Sequence, residues 1–298
     1  MRDALASPRV KAVIITHYHH DHYPWPGSEG LPPQLLKGKL IIAKNPNMYI
    51  NMSQWRRARE FFEELARSAG LRFSEIYEVP PRNLTFPLPE EELPAAMGRD
   101  YGDYSRRRKE LLARGRAWFT RVSRAWAERE WVREFEGRDG TRVVWADARV
   151  FDVCGIRFVF TEPWFHGAEY DRTGWVVGFL AEVGGCRIVF SSDVTGPIIE
   201  DYAKRIAGWE PDIVVLDGPP TYLYPYLLSG VNLRRAIENA KAVIESGPAV
   251  VVYDHHLLRE RRWRERVREV FEHARTRRVL LLTAAEALGR RPVIDELT

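Results

Sequence analysis

Apolar residues along this chain fall in two rhythms. Short runs rich in Val, Ile and Phe occupy 10–16 (VKAVIIT), 39–43 (KLIIA), 143–153, 156–161 (IRFVFT), 174–183 (GWVVGFLAEV) and 186–191 (CRIVFS). Three more lie at 212–217 (DIVVLD), 248–254 (PAVVVYD) and 278–283 (RVLLLT). β-branched runs of this length predict strands. Between the later runs the spacing changes. Segments 198–208, 231–246 and 257–275 read as amphipathic helices, and in the second of them Leu233, Ile237, Ala240 and Ile244 share one stripe. Strands alternating with helices predict an α/β layered sheet.

The middle of the chain breaks that alternation. Residues 51–70 and 103–136 read as helices rich in Arg, Glu and Trp, joined by a Pro-rich connection that includes the loop-like PLPEEELP of 87–94. Residues 51–140 are therefore expected to form a helical insertion within a single domain spanning 1–298. Trp118, Trp126 and Trp131 would serve either as stacking platforms for bases or, the favoured reading, as anchors docking the helices on the main body.

Composition narrows the class. With 45% hydrophobic and 29% charged residues in 298, the chain reads as an ordinary globular protein. No apolar stretch approaches the roughly 20 residues of a membrane span, and the opening MRDALASPRV lacks the apolar core of a signal peptide, so a cytoplasmic protein without membrane contact is expected. Cys154 and Cys186 sit in strand-like contexts and are expected to be buried small hydrophobes rather than a disulfide. Net charge is only +4, yet Arg supplies 38 of the 45 basic residues. Arg106-Arg107-Arg108 and RERRWRERVRE (259–269) could track a phosphate backbone. Glu interleaved at helical spacing supports the competing reading, a solvated face laced with ion pairs.

The histidines carry the sharpest signal. Of eight, all but His273 fall at the downstream end of an expected strand: His17, His19, His20 and His22 after the first, His166 in FVFTEPWFHG, and His255-His256 in VVVYDHH. Sites in α/β sheets gather outside the carboxyl ends of strands, so three segments are expected to converge. Imidazole and carboxylate suit zinc and similar divalent ions. His17 and His19, two apart in an extended segment, point to one side and can grip one ion; Asp21 and His22, beyond the turn, can serve a second. His20 should face away.

THYHHDH resembles the T-H-x-H-x-D-H signature of the metallo-β-lactamase superfamily, and the downstream order is similar: His166, then Asp193 in IVFSSDVTG, then the pair in VVYDHHLLRE. More narrowly, PWFHG, FSSDVTGP, DGPPTYLYP and DHHLLRE resemble an archaeal family of predicted metallo-β-lactamase hydrolases. The resemblance covers 10–50 and about 150–290. It implies an α/β fold of the metallo-β-lactamase kind, an αβ/βα sandwich. It also implies that His17, His19 and His166 hold a first metal and that Asp21, His22 and His255 hold a second, with Asp193 bridging. Either member of the His255-His256 pair could ligate; His255, first after the strand, is taken as the ligand. Superfamily members begin with strands ahead of the histidine motif, which here starts at residue 16; a start upstream of residue 1 is expected, the alternative being a sheet that exposes apolar surface. The 143 residues between His22 and His166 hold the insertion, which is expected to roof the site.

Two ions so held, most readily zinc, with manganese or iron as alternatives, predict hydrolysis by an activated water. Asp193 would orient that water, while His256 and Tyr222 are candidates to protonate the leaving group. Asp254 is expected to fix the tautomer of a ligating His from behind, and Asp217, before Gly-Pro-Pro, to shape a turn. His19 stands where the superfamily's diiron redox proteins carry a carboxylate, which favours hydrolysis. The expected substrate is a phosphodiester or nucleic acid. Alternatives are a thioester or lactone, small molecules suited to the many Trp and Tyr residues, or a metal-stabilised binding protein without turnover. The sequence fixes no oligomeric state.

Overall fold

The computed structural model describes residues 2–19 and 33–296, and no helix among them is long and apolar enough to cross a membrane. His20, Asp21 and His22 lie outside the described residues. The fold is mixed α/β, built on two larger sheets. In the first, Ala12–Ile15, Leu40–Ala43 and Arg142–Trp145 run parallel, and Phe135–Glu136 adds an antiparallel edge.

The second sheet has seven strands. From one edge, Leu280–Leu282, Val250–Asp254, Ile213–Asp217 and Cys186–Phe190 are mutually parallel; Phe179–Val183, Ile156–Phe160 and Val150–Val153 continue it antiparallel. Parallel neighbours need crossovers, which the helices Glu200–Gly208, Gly230–Glu245 and Arg268–Arg277 provide. All four parallel strands therefore end at the same edge of the sheet.

Period-two alternation gives each strand two faces. In Leu40–Ala43, Ile41 and Ala43 join the main core with Phe61, Phe62 and Leu65 of the helix Met52–Ser68. Ile42 instead joins a second core with Ala146, Phe160 and Val177, against which Val144, Phe158 and Phe179 pack. The two sheets thus share an apolar layer. On the other face of the second sheet, Val189, Val214, Leu216, Val251 and Tyr253 belong to the main core together with Ile206, Ala240 and Val270 of the crossover helices.

Region 51–140 holds the helices Met52–Ser68 and Ser105–Glu128 and several short 3-10 turns. The residues after 128 that read as helix form instead the short strands Trp131–Val132 and Phe135–Glu136, since two strand residues pair with Tyr77–Glu78 and two with the first sheet. The tryptophans dock. Trp118 stacks on Trp175 at 5.4 Å and 8°, Trp126 is fully buried and donates to the Ile50 carbonyl, and Trp131 donates to the Trp126 carbonyl. Cys186 is half-buried, but Cys154 is exposed: with Gly155 it forms the tip of the hairpin between Val150–Val153 and Ile156–Phe160, which corrects the expectation of burial.

Candidate metal centre

The site forms where the parallel strands end. Cys186–Phe190 leads into Ser191, Ser192 and Asp193; Ile213–Asp217 ends on its own carboxylate; Val250–Asp254 leads straight into His255 and His256. His17 follows Ala12–Ile15 of the other sheet, and His166 follows the short strand Trp164–Phe165, which pairs with Trp175–Val176. Tight turns aim these side chains. Ser192, Thr195 and His255 all take left-handed φ, at 55°, 52° and 61°, a conformation that disfavours side chains. Gly196 relieves the same turn at φ 76°, where any Cβ would stand 2.5 Å from the Pro219 nitrogen.

Asp193 is the hub. Its Oδ2 stands 3.5 Å from His17 Nε2, 3.5 Å from His166 Nε2 and 3.4 Å from His255 Nε2. These separations are long for hydrogen bonds. They match the ligand-to-ligand edge of a tetrahedral shell, about 3.3–3.4 Å when each bond is about 2.0–2.1 Å. The rings of His17, His19 and His166 lie 4.8–5.5 Å apart, centroid to centroid, around the same point. His166 is buried, yet neither ring nitrogen has a hydrogen-bond partner among the described residues. An orphaned buried polar atom costs about 1–3 kcal/mol, which a divalent ion would remove. The donor set, imidazoles plus a carboxylate, fits such an ion.

Two groups of ligand-type atoms, each within 4.8 Å of one another, share this hub: His17, His19, His166 and Asp193, and then Asp193, His255 and His256. The structure thus brings together His17, His19, His166, Asp193, His255 and His256. Tyr222 is not drawn in; it lies 39% exposed on the turn Thr221–Leu223, which packs beside the turn His255–Arg259.

Groups behind the cluster hold it in place. Gln54 is buried, accepts from the Tyr18 backbone N–H at 3.1 Å, donates to the Thr173 carbonyl at 2.7 Å and touches His19 Nε2 at 3.2 Å. Ser192 donates to the Thr16 hydroxyl at 2.9 Å, and that hydroxyl lies 3.3 Å from His17 Nδ1. Asp217, read from the sequence as a turn former, meets His256 Nδ1 with both oxygens, at 2.9 and 3.0 Å, and also accepts from the Thr195 N–H at 2.7 Å. Burial and, next, the charge of Asp193 push the Asp217 carboxyl well above the usual carboxylate range, while His255, His166 and the Thr195 N–H pull it down. Asp254 does not touch an imidazole in the expected way; its oxygens accept from the backbone N–H groups of His255 and Ala284. Asp217 ends a strand just as Asp254 does, which was the one signal in the sequence that could have found it. Gln54 gave none.

Charge near the site is mostly spent on ion pairs. Arg262 pairs with Glu265, Arg264 with Glu286 and Asp295, Arg266 with Glu260 and Arg268 with Glu272. In the other run, Arg107 pairs with Glu110 and Arg108 with Glu169. One guanidinium nitrogen of Arg259 lies 3.2 Å from His255 Nε2.

No protein-family model matches the chain. Its relatives among curated proteins are archaeal and carry the name UPF0282 protein. The one from Pyrobaculum neutrophilum is 38% identical over 151 residues, 51% of this chain and 48% of the relative. That from Korarchaeum cryptofilum is 25% identical over 283 residues, 95% of this chain and 68% of the relative, and that from Methanopyrus kandleri 28% over 292 residues, 96% and 74%. The chain spans about half the length of its more identical relatives and two thirds to three quarters of the others. It is similar, then, to archaeal UPF0282 proteins, a name that states no activity.

Proposed function

We propose that the protein is a metal-dependent hydrolase of the metallo-β-lactamase kind, its two sheets and flanking helices forming an αβ/βα sandwich around a dinuclear, zinc-type centre. The observation that carries the proposal is the ring of three imidazole Nε2 atoms at 3.4–3.5 Å around Asp193 Oδ2. His17, His19 and His166 would hold one ion. His255 would hold the other together with Asp21 and His22, and Asp193 is shared because both groups of ligand atoms include it. Such ions supply a water acidic enough to ionise near neutral pH and polarise the bond to be cleaved.

The chain's own residues do the rest. The Asp193 carboxylate accepts a hydrogen bond from the attacking water and fixes its direction. His256, buried beside His255 with its ring 4.4 Å away, is placed to return a proton to the leaving group. Tyr222 is a poorer candidate for that step, since its side chain is at the surface. Trp118, Trp126 and Trp131 dock helices, and most of the Arg run is paired, so neither supports an extended nucleic-acid track.

We favour a phosphodiester, since the Arg259 guanidinium beside His255 is a donor of the kind that binds phosphoryl oxygens. A second reading, an acyl hydrolase acting on thioesters or lactones, draws on Tyr226 and Leu227, exposed at 92% and 81% on the loop beside the same turn. The test is turnover of bis-p-nitrophenyl phosphate against p-nitrophenyl acyl esters and a thioester, with zinc, manganese or iron restored. Phosphodiester cleavage that disappears in Asp193→Ala is expected. Stoichiometric metal with no turnover of any of them would leave a metal-stabilised binding protein and end the hydrolase reading.

A further inference from the structure

Asp217 and His256 form a buried pair whose role extends beyond the ligand set. Both are under a tenth exposed, one at the end of a strand and the other on a turn 39 residues away in the chain. The contact is two-pronged: Nδ1 stands 2.9 Å from one carboxylate oxygen and 3.0 Å from the other. Near-equal distances are those of an N–H directed between two acceptor oxygens. One of the oxygens is already an acceptor, taking the Thr195 N–H at 2.7 Å, and the other faces the His256 backbone N–H at 3.4 Å.

The segments carrying the pair are packed together: the Gly218 N–H bonds to the Asp254 carbonyl, and a Cβ on Gly218 would stand 2.5 Å from Leu257 Cβ. The ring of His166 lies 5.7 Å away across the cluster. With Nδ1 turned to Asp217, Nε2 is the nitrogen left to face the Asp193–His255 side, in keeping with the 4.8 Å grouping of those three residues. A neutral imidazole carries one proton, so the nitrogen that holds it decides what the other can do.

We propose that Asp217 is a positioning residue: its carboxylate holds His256 by Nδ1–H and thereby presents an unprotonated Nε2 to the cluster. The consequence for the site builds on the hydrolase reading. An Nε2 lone pair turned toward Asp193 and His255 would let His256 accept a proton from the water or serve as a ligand itself, and Asp217 sets which way it points. The carboxylate also ties the turn carrying Asp193 and Thr195 to the turn carrying His255 and His256, so one side chain registers two parts of the centre.

The experiment is a long-range 1H–15N correlation of the imidazoles in the metal-free protein, at about two pH units above the ordinary histidine value of about 6.5. The His256 ring is assigned by its loss in His256→Gln. The expected wild-type pattern is Nδ1–H with a bare Nε2. In Asp217→Asn the expected pattern is a tautomer mixture or reversal, while the His273 ring, paired with Glu245 elsewhere, keeps its shifts. Zinc affinity of Asp217→Asn should fall about 10–100-fold. An Nε2–H tautomer in the wild type overturns the proposal without any variant. An unchanged tautomer in a folded Asp217→Asn does the same. Neither reading needs turnover, so a protein that hydrolyses nothing could still sustain this inference, and an active enzyme could refute it.

Discussion

The inner face of the seven-stranded sheet is covered more fully over one half than over the other. Over the antiparallel half, Phe158, Phe160 and Phe179 meet Ile42, Ala146 and Val177 of the shared layer; Phe160 is only 4% exposed, and Phe158 and Phe179 are half-buried. The register carries the same rows onward. Phe179 pairs with Phe190, Phe190 with Val215 and Val215 with Val252, while the row beside it runs Ile188, Ile213, Val250 and Leu280. None of these continuing positions reaches full burial, and Leu280 is 53% exposed. The half whose strands end in the candidate centre is the half whose inner face is left partly open. The first sheet ends at Ala12–Ile15 and does not extend over it among the described residues. Apolar pattern along a strand therefore records that a face was made to be covered; it does not record by what.

The largest effect should come from the closed half. Phe160 contacts Phe151, Phe158 and Phe179 at ring distances of 5.5–6.3 Å. Phe160→Ala is expected to cost about 3–5 kcal/mol in urea unfolding, the range for a large aromatic removed from a packed core. Val215→Ala, three strands away on the same face and half-buried, should cost about 1 kcal/mol or less, since part of its surface is already in water. Equal losses in the two variants would erase the distinction between the halves.

Much of this architecture was legible because β-branched runs have few uses other than strands. All nine expected strand segments contain strands, but two were read too long. Segment 174–183 divides into Trp175–Val176 and Phe179–Val183, and 143–153 divides where Asp147 turns back to bind Lys44. Likewise 257–275, continuous in its helical spacing, is cut into His255–Arg259, Trp263–Arg266 and Arg268–Arg277, because the turn after Asp254 is held by that side chain capping His255 and bonding Ala284. Of the site, the histidines were readable because their positions follow strand ends. Gln54 was not, since it acts on an imidazole 35 residues away with no local signature, and Asp217, 39 residues from His256, offered only its place at a strand end, which a turn explains equally well.

The centre itself should sharpen the contrast at intermediate size. An ion bound only by the folded protein adds about 2.7 kcal/mol at a hundredfold excess over its dissociation constant. Zinc is therefore expected to raise the urea midpoint relative to protein held in chelator, and Asp193→Ala should abolish the gain. Because Asp193 and His255 hang on the open half, amide exchange should slow over 191–195 and 255–259 and stay unchanged in the hairpin 150–160. Slowing that is uniform along the chain would mean that the two halves open together as one cooperative unit.

The smallest effect belongs at the open edge. Leu280 ends the uncovered row, on the edge strand Leu280–Leu282, with more than half its surface in water. Leu280→Ser removes apolar area of which more than half stays in water after folding, so the unfolding free energy should fall by less than about 1 kcal/mol. What should change is association: an apolar strand at a sheet edge is a template for pairing, and sedimentation of the variant should depend less on concentration. If Leu280→Ser instead costs more than about 1 kcal/mol, Leu280 is buried in solution, and the inner face is closed over the parallel strands as well.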